Sequence, residues 1–190
     1  MNQEEIIEIL TGTGAVQKGH FVLSSGLHSD TYYQCAKVFE HPGLTEKLGD
    51  EIARFWEGRQ IDAVISPAVG GLILGFSVAL AMGARFIFAE RENEKMKLRR
   101  GFKIDQDERI LVVEDVITTG GSVREVIEII RENKGHVVGL SCLLNRGDKK
   151  EMAGVQVHSL VSASEKIYKP EECPLEKQGL PLVSPGSRRL

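Results

Sequence analysis

Cysteine is scarce in this chain, with three residues among 190, Cys35, Cys142 and Cys173, far apart and odd in number. That count excludes a disulfide framework, and no CxxC pair is present to form a zinc site of that kind. Cys173 stands in the string CPLE, which offers no second thiol to a metal. A reducing cytoplasm is the expected location. A basic surplus is also missing, since the formal net charge is -3, and nothing draws the whole molecule to nucleic acid or to an anionic membrane surface. No apolar run reaches the length of a membrane span. The opening MNQEEIIEIL reads as the start of an acidic amphipathic helix, not as a basic segment before an apolar one. Internal repeats and low-complexity tracts are absent as well.

What is present suits one domain over 1–190, with 42% apolar residues to fill a core. Ile6, Ile7, Ile9 and Leu10 are spaced for a first helix, and segment 21–38 reads as an irregular element rich in β-formers. From Pro42, Leu44, Leu48, Ile52 and Phe55 mark a helix that stops before Gly58 and the short apolar run Ala63-Val64-Ile65. The alternation continues with a helix over 72–82, a strand over 85–89, a polar gap, a strand over 110–113, a helix over 123–133 and a strand over 137–144. Apolar strands alternating with helices predict an α/β fold, a central and mostly parallel sheet with helices on both faces. Beyond about residue 160 the chain is polar and proline-rich and is expected to carry little regular structure.

On a parallel sheet ligands sit beyond the carboxyl ends of the strands, so the loops after Ile65, Val113 and Leu144 are where chemistry should lie. The most informative is Glu114-Asp115-Val116-Ile117-Thr118-Thr119-Gly120-Gly121-Ser122, which leaves a buried strand and opens an amphipathic helix. Gly120 and Gly121 let backbone N–H groups approach an anion, and Thr118, Thr119 and Ser122 add hydroxyl donors at the positive end of the helix. Glu114 and Asp115 would repel a phosphate but suit the vicinal hydroxyls of a ribose, and Asp115 can help hold a magnesium ion shared with substrate. Phosphate cradle and diol acceptor together point to a ribose 5-phosphate. Ser122 and Glu125 also have the spacing of a helix capping box. Neither GxxxxGK[ST] nor a GxGxxG after a strand occurs.

The string ValGluAspValIleThrThrGlyGly resembles the phosphoribosyl pyrophosphate signature of type I phosphoribosyltransferases. Over nearly the whole chain the resemblance is greatest to the orotate phosphoribosyltransferase family. It implies the type I fold, with a small N-terminal hood (about 1–40), a core (about 41–160) and a tail (about 161–190). It further implies transfer of ribose 5-phosphate from phosphoribosyl pyrophosphate to orotate, giving orotidine 5'-phosphate and pyrophosphate in pyrimidine synthesis. Mg2+ is the implied cofactor, and a homodimer with shared active sites the implied assembly.

Carried over residue by residue, Gly19-His20-Phe21-Val22-Leu23-Ser24-Ser25-Gly26 and Ser29-Asp30-Thr31-Tyr32-Tyr33-Gln34 resemble the hood over orotate, with the backbone of Tyr32 and Tyr33 against the pyrimidine. Arg146, in Asn145-Arg146-Gly147, and Thr118 match positions that contact orotate; a guanidinium fork also suits a carboxylate on chemical grounds. Ala68, Val69, Gly70 and Gly71 match the pyrophosphate loop. The charged segment 91–101 resembles the mobile catalytic loop. Well-known members have lysines where Ser24 and Gly70 stand and a histidine-glycine pair in the mobile loop, all missing here. Arg91, Lys95 and Lys97 are therefore the candidate cations for the leaving pyrophosphate.

Overall fold

The computed structural model describes residues 1–23, 25–163 and 166–185; Ser24 lies outside them. The chain opens with α1 (Gln3–Gly12), whose cap follows from two side chains. Asn2 accepts from the Glu5 N–H while the Glu5 carboxylate accepts from the Asn2 N–H, each at 2.9 Å. Such reciprocal caps contribute about 1 kcal/mol each. The helix turns Ile6 and Leu10 inward.

After the hairpin of β1 (Val16–Val22) and β2 (His28–Tyr33) comes a short helix α2 (Ala36–Phe39) and then α3 (Pro42–Phe55), where Pro42 pre-sets the first turn. β3 (Ala63–Pro67) is buried along its whole length and leads into α4 (Leu72–Met82). β4 (Arg85–Glu92) and β5 (Lys95–Leu98) form a hairpin, followed by β6 (Arg109–Ile117), α5 (Gly121–Glu132), β7 (His136–Arg146), β8 (Glu151–Met152) and β9 (Val155–Ala163). The last described segments are β10 (Ile167–Tyr168), a 3-10 turn at Pro170–Glu172, α6 (Pro174–Lys177) and β11 (Leu182–Val183).

Seven strands form the main sheet in the order β5-β4-β3-β6-β7-β9-β8, with β4, β3, β6, β7 and β9 parallel and short antiparallel strands at both edges. Alternation along the strands separates two cores. Val64, Leu111, Val113 and Leu143 face one side with α1, α3 and α4, while Ala63, Ile65, Ile110, Val112 and Cys142 face the other with α5. The predicted α/β class with helices on both faces is thus what the chain forms. Trp56, fully buried, donates its indole N–H to the Ser141 hydroxyl at 2.7 Å and ties the end of α3 to β7.

Three expectations need correction. The polar gap after Ala89 is not a loop: β4 continues to Glu92 and returns as β5, turning at Asn93 and Glu94, both with positive φ as a type I′ turn requires. Glu92 pairs with Lys97 and Arg99 across the hairpin, while Met96 is buried and Arg91 shares its face, so polarity there marks an exposed strand edge. Segment 21–38, read as irregular, holds the end of β1, the whole of β2 and most of α2, and β1 and β2 pair as an antiparallel hairpin with one register shift between Lys18 and Phe21. The described residues of the tail carry regular structure too. β9 runs to Ala163, β10 pairs with β2, and β11 lies parallel to β1 with His20 opposite Leu182. Strands of two residues carry no readable periodicity, which is why the sequence hides them. A four-stranded sheet, β10-β2-β1-β11, results from both ends of the chain.

Candidate active site

After β3 the chain goes through α4 to β4 on one side, and after β6 it goes through α5 to β7 on the other. The connections diverge between β3 and β6, and at such a switch point the carboxyl ends of the strands leave a crevice for ligand. The loops on either side of it are 68–71 and 118–120, both singled out by sequence.

These loops fit each other closely. A methyl group at Gly70 would lie 2.6 Å from the Asp115 carboxylate, and one at Gly71 would lie 2.9 Å from both Glu114 Oε1 and the Val113 carbonyl. The glycines allow the first loop to lie directly on the acidic pair of the second, and a lysine at Gly70 would have to displace Asp115. The Ala68–Val69 peptide bond is cis. Glu114 is buried and Asp115 half-buried. Glu114 Oε1 accepts from the Asp115 N–H at 3.0 Å, and Asp115 Oδ1 accepts from the Val116 N–H at 2.8 Å. Burial, and next the neighbouring Asp115 carboxylate, push the Glu114 carboxyl well above the usual carboxylate range.

Beyond the acids, Val116 and Ile117 finish β6, Ile117 anchored in the core, and Thr118 and Thr119 are exposed. Gly120 has φ 81° and forms the N-cap of α5, with Gly121 and Ser122 in its first turn. The expected capping box of Ser122 and Glu125 does not form. Arg91 takes both groups instead, reaching Glu125 at 2.8 Å and the Ser122 hydroxyl at 3.4 Å, and Glu125 also accepts from the Met96 N–H. The β4–β5 hairpin is thereby tied to the helix that opens the cradle, and the Arg91 guanidinium lies beside that helix's first turn. Lys97 pairs with Glu92 on its own hairpin at 2.7 Å, and Lys95 is exposed at the start of β5.

At the end of β7 the Arg146 guanidinium lies 5.9 Å from the centre of the Tyr33 ring, a cation–π contact that joins the hood to the main sheet. Tyr32, on the opposite face of β2, packs on Phe21 instead, with ring centres 5.6 Å apart. Sequence reasoning brought forward Arg146 and Tyr33 but passed over Lys149. Its ammonium donates to the Thr118 carbonyl and, at 3.3 Å, to the Arg146 carbonyl, so it joins the phosphate loop to the arginine loop. Asn145, buried at the end of β7, fixes the intervening turn by donating to the Lys149 carbonyl at 2.8 Å. The available signal was position alone, a lysine three residues past a strand end already under suspicion. Cys35 and Cys142 are buried, and burial, before the acidic pair in each case, raises their thiol pKa values, which suits packing and not nucleophilic attack.

An acidic pair, a glycine-rich helix start and a second glycine loop at one switch point define a transferase of phosphoribosyl groups, and the chain belongs to the family of the phosphoribosyl transferase domain, which residues 38–178 match. Curated relatives narrow this further. The chain is 53% identical to the orotate phosphoribosyltransferase of Caldanaerobacter subterraneus subsp. tengcongensis and 51% identical to that of Thermoanaerobacter sp., with 100% of both chains covered in each case. Among solved structures it is similar to orotate phosphoribosyltransferase from Aeropyrum pernix, with a TM-score of 0.71 and 27% identity over 83% of this chain and 93% of that one. Within the family, its place is among the orotate phosphoribosyltransferases.

Proposed function

We infer that this protein transfers the ribose 5-phosphate of phosphoribosyl pyrophosphate to orotate, releasing pyrophosphate and forming orotidine 5'-phosphate for pyrimidine synthesis. The observation that carries the reading is the meeting of the acidic pair with two glycine loops at the switch point, beside an arginine suited to a carboxylate. The backbone N–H groups of 119–122 and the hydroxyls of Thr118, Thr119 and Ser122 bind the 5-phosphate at the positive end of α5. Glu114 and Asp115 accept from the two ribose hydroxyls and orient the ring. The 68–71 loop offers backbone donors to the pyrophosphate.

Orotate is held by Arg146 and Thr118 under Tyr33, its ring nitrogen directed at the anomeric carbon, with Tyr32 supporting the hood through Phe21. As the new bond to nitrogen forms, the bond to the pyrophosphate oxygen breaks, the electron pair leaves with pyrophosphate, and the proton of the ring nitrogen passes to water. Positive charge grows on the ribose and negative charge on the departing group, so the acidic pair and the surrounding cations act where charge develops. Arg91 stands at the first turn of α5, beside the 5-phosphate; with Lys95 and Lys97, on the same hairpin, it is a candidate cation for the leaving group. Lys149 adds positive charge at the Thr118 loop.

A magnesium ion fits this donor set, since Asp115 presents hard carboxylate oxygen at the edge of the crevice; bound there, with substrate oxygens, it would neutralise charge on the pyrophosphate. An exposed apolar stripe on α4, Ile73, Phe76 and Leu80, next to the exposed Val69, supports a homodimer with the pyrophosphate loop near its seam. No helix among the described residues is long and apolar enough to cross a membrane. A cytoplasmic location rests on three unpaired thiols.

The test is the loss of orotate absorbance on mixing protein, Mg2+ and both substrates, with adenine run in parallel as the alternative base. Arg146→Ala should lower kcat/KM for orotate by an amount worth on the order of 2 to 5 kcal/mol, roughly 30-fold or more. Turnover of adenine in place of orotate, or an unchanged rate in the variant, overturns the assignment.

A further inference from the structure

The hood contains a cluster that the transfer reaction does not use. His20 of β1, His28 of β2 and Cys173, just ahead of α6, are all buried, and one donor atom from each lies within 4.8 Å of the others. His20 Nε2 is 2.8 Å from His28 Nδ1 and 3.5 Å from Cys173 Sγ. A fourth donor faces the same point, because Glu176 Oε2 is 3.6 Å from His20 Nε2 and 3.7 Å from His28 Nδ1.

We propose that His20, His28, Cys173 and Glu176 form a structural zinc site that clamps the C-terminal segment onto the N-terminal hairpin. Zinc takes nitrogen, sulfur and carboxylate oxygen tetrahedrally, at about 2.0–2.1 Å for nitrogen and about 2.3 Å for sulfur. Tetrahedral geometry then separates two nitrogens by about 3.4 Å and a nitrogen and a sulfur by about 3.6 Å. The 3.5 Å from His20 Nε2 to Cys173 Sγ is close to its value, while the 2.8 Å between the imidazoles is short, so closing around an ion requires them to separate by about half an ångström.

The tautomer is already set. His20 Nδ1 lies 2.9 Å from the Leu180 carbonyl, which can only accept, so Nδ1 carries the proton and Nε2 turns its lone pair into the cluster. Zinc-bound histidines characteristically make this second contact to a carbonyl or carboxylate. Charge also balances, since one thiolate and one carboxylate neutralise a divalent ion. A magnesium site would be built differently, from oxygen donors.

Location supplies the reason for a clamp. The hood sheet joins the chain through β10 and β11, each two residues long, and Ile167, Leu182 and Val183 on them are each nearly half exposed. So little apolar burial holds a segment weakly, and a metal that bridges residues distant in sequence makes up the deficit.

The full chain is purified without chelator after growth with zinc and assayed for metal, then stripped and titrated with Co2+. The expected result is roughly one zinc per chain and, with Co2+, the intense visible bands and thiolate charge-transfer absorption of a tetrahedral site. Cys173→Ala and His28→Gln should lose those bands and at least tenfold in zinc affinity. Stripping should lower Tm by on the order of 10 °C, with zinc restoring it. A stripped wild-type chain that gives only the weak spectrum of hydrated Co2+ and the same Tm with or without zinc overturns the proposal. So does zinc retained equally by Cys173→Ala, which would place the metal elsewhere. The wild-type titration stands even if a variant fails to fold.

Discussion

The main sheet and the hood sheet are held together by different means. In the main sheet β3 is buried along its full length, and Val64, Ile65, Leu111 and Val112 are completely enclosed. The hood buries His20, His28, Ser29 and Thr31, and is closed by two short strands from the far end of the chain. Apolar burial thus sets the core and the crevice at its switch point, whereas hydrogen bonding and chain-end pairing set the cover. A molecule built this way keeps the loops at its switch point on a stiff base and its four-stranded sheet on a softer one.

That contrast can be broken by substitution. The largest effect is expected from Leu111→Ala, which removes a fully enclosed side chain from the middle of β6 and should cost about 2–5 kcal/mol in denaturant unfolding. Next is Gly71→Ala. Its new methyl would meet both the Glu114 side chain and the fixed Val113 carbonyl, so a loss of about 1–3 kcal/mol is expected, together with a raised KM for phosphoribosyl pyrophosphate. Equal KM values in variant and parent would show that the crevice is looser than its glycines imply.

Glu114→Gln should act in the opposite direction on stability. Because burial and Asp115 raise the folded-state pKa, the unfolded chain loses this proton at lower pH than the folded one. Stability therefore falls as pH rises from the ordinary carboxylate pKa toward the raised value, and is level above it. The glutamine variant should lack that slope, gain on the order of 1 kcal/mol at neutral pH and bind the sugar phosphate more weakly. Midpoints of urea unfolding across pH check the first two, and titration with phosphoribosyl pyrophosphate checks the third. The smallest effect belongs to the hood, where Ile167→Ala on the half-exposed β10 should change stability by less than about 0.5 kcal/mol.

The same contrast explains what could be read from the amino-acid string. β3, α4, β6 and α5 were legible because long apolar runs and glycine-marked ends leave a periodic trace, and with them the two loops, 114–122 and 68–71, that meet at the switch point. The β4–β5 hairpin was hidden, since one exposed face and charged pairs such as Lys97 and Glu92 look like a solvated loop. Lys149 was hidden because its role comes from a turn fixed by Asn145, which no local pattern announces. The histidines and Cys173 were hidden for a related reason: β1 and β2 meet α6 only after the chain has folded back on itself.

The pairing of β11 with β1 sets an order of events during synthesis. Domains mature from the amino end as the ribosome advances, at about 5–20 residues per second. An emerging polypeptide can bring the loops at 68–71 and 118–120 together while Leu182 and Val183 are still inside the exit tunnel, but its four-stranded sheet must wait until β11 has come out. Closure of that sheet over β1 is then a late event in the life of the newborn molecule.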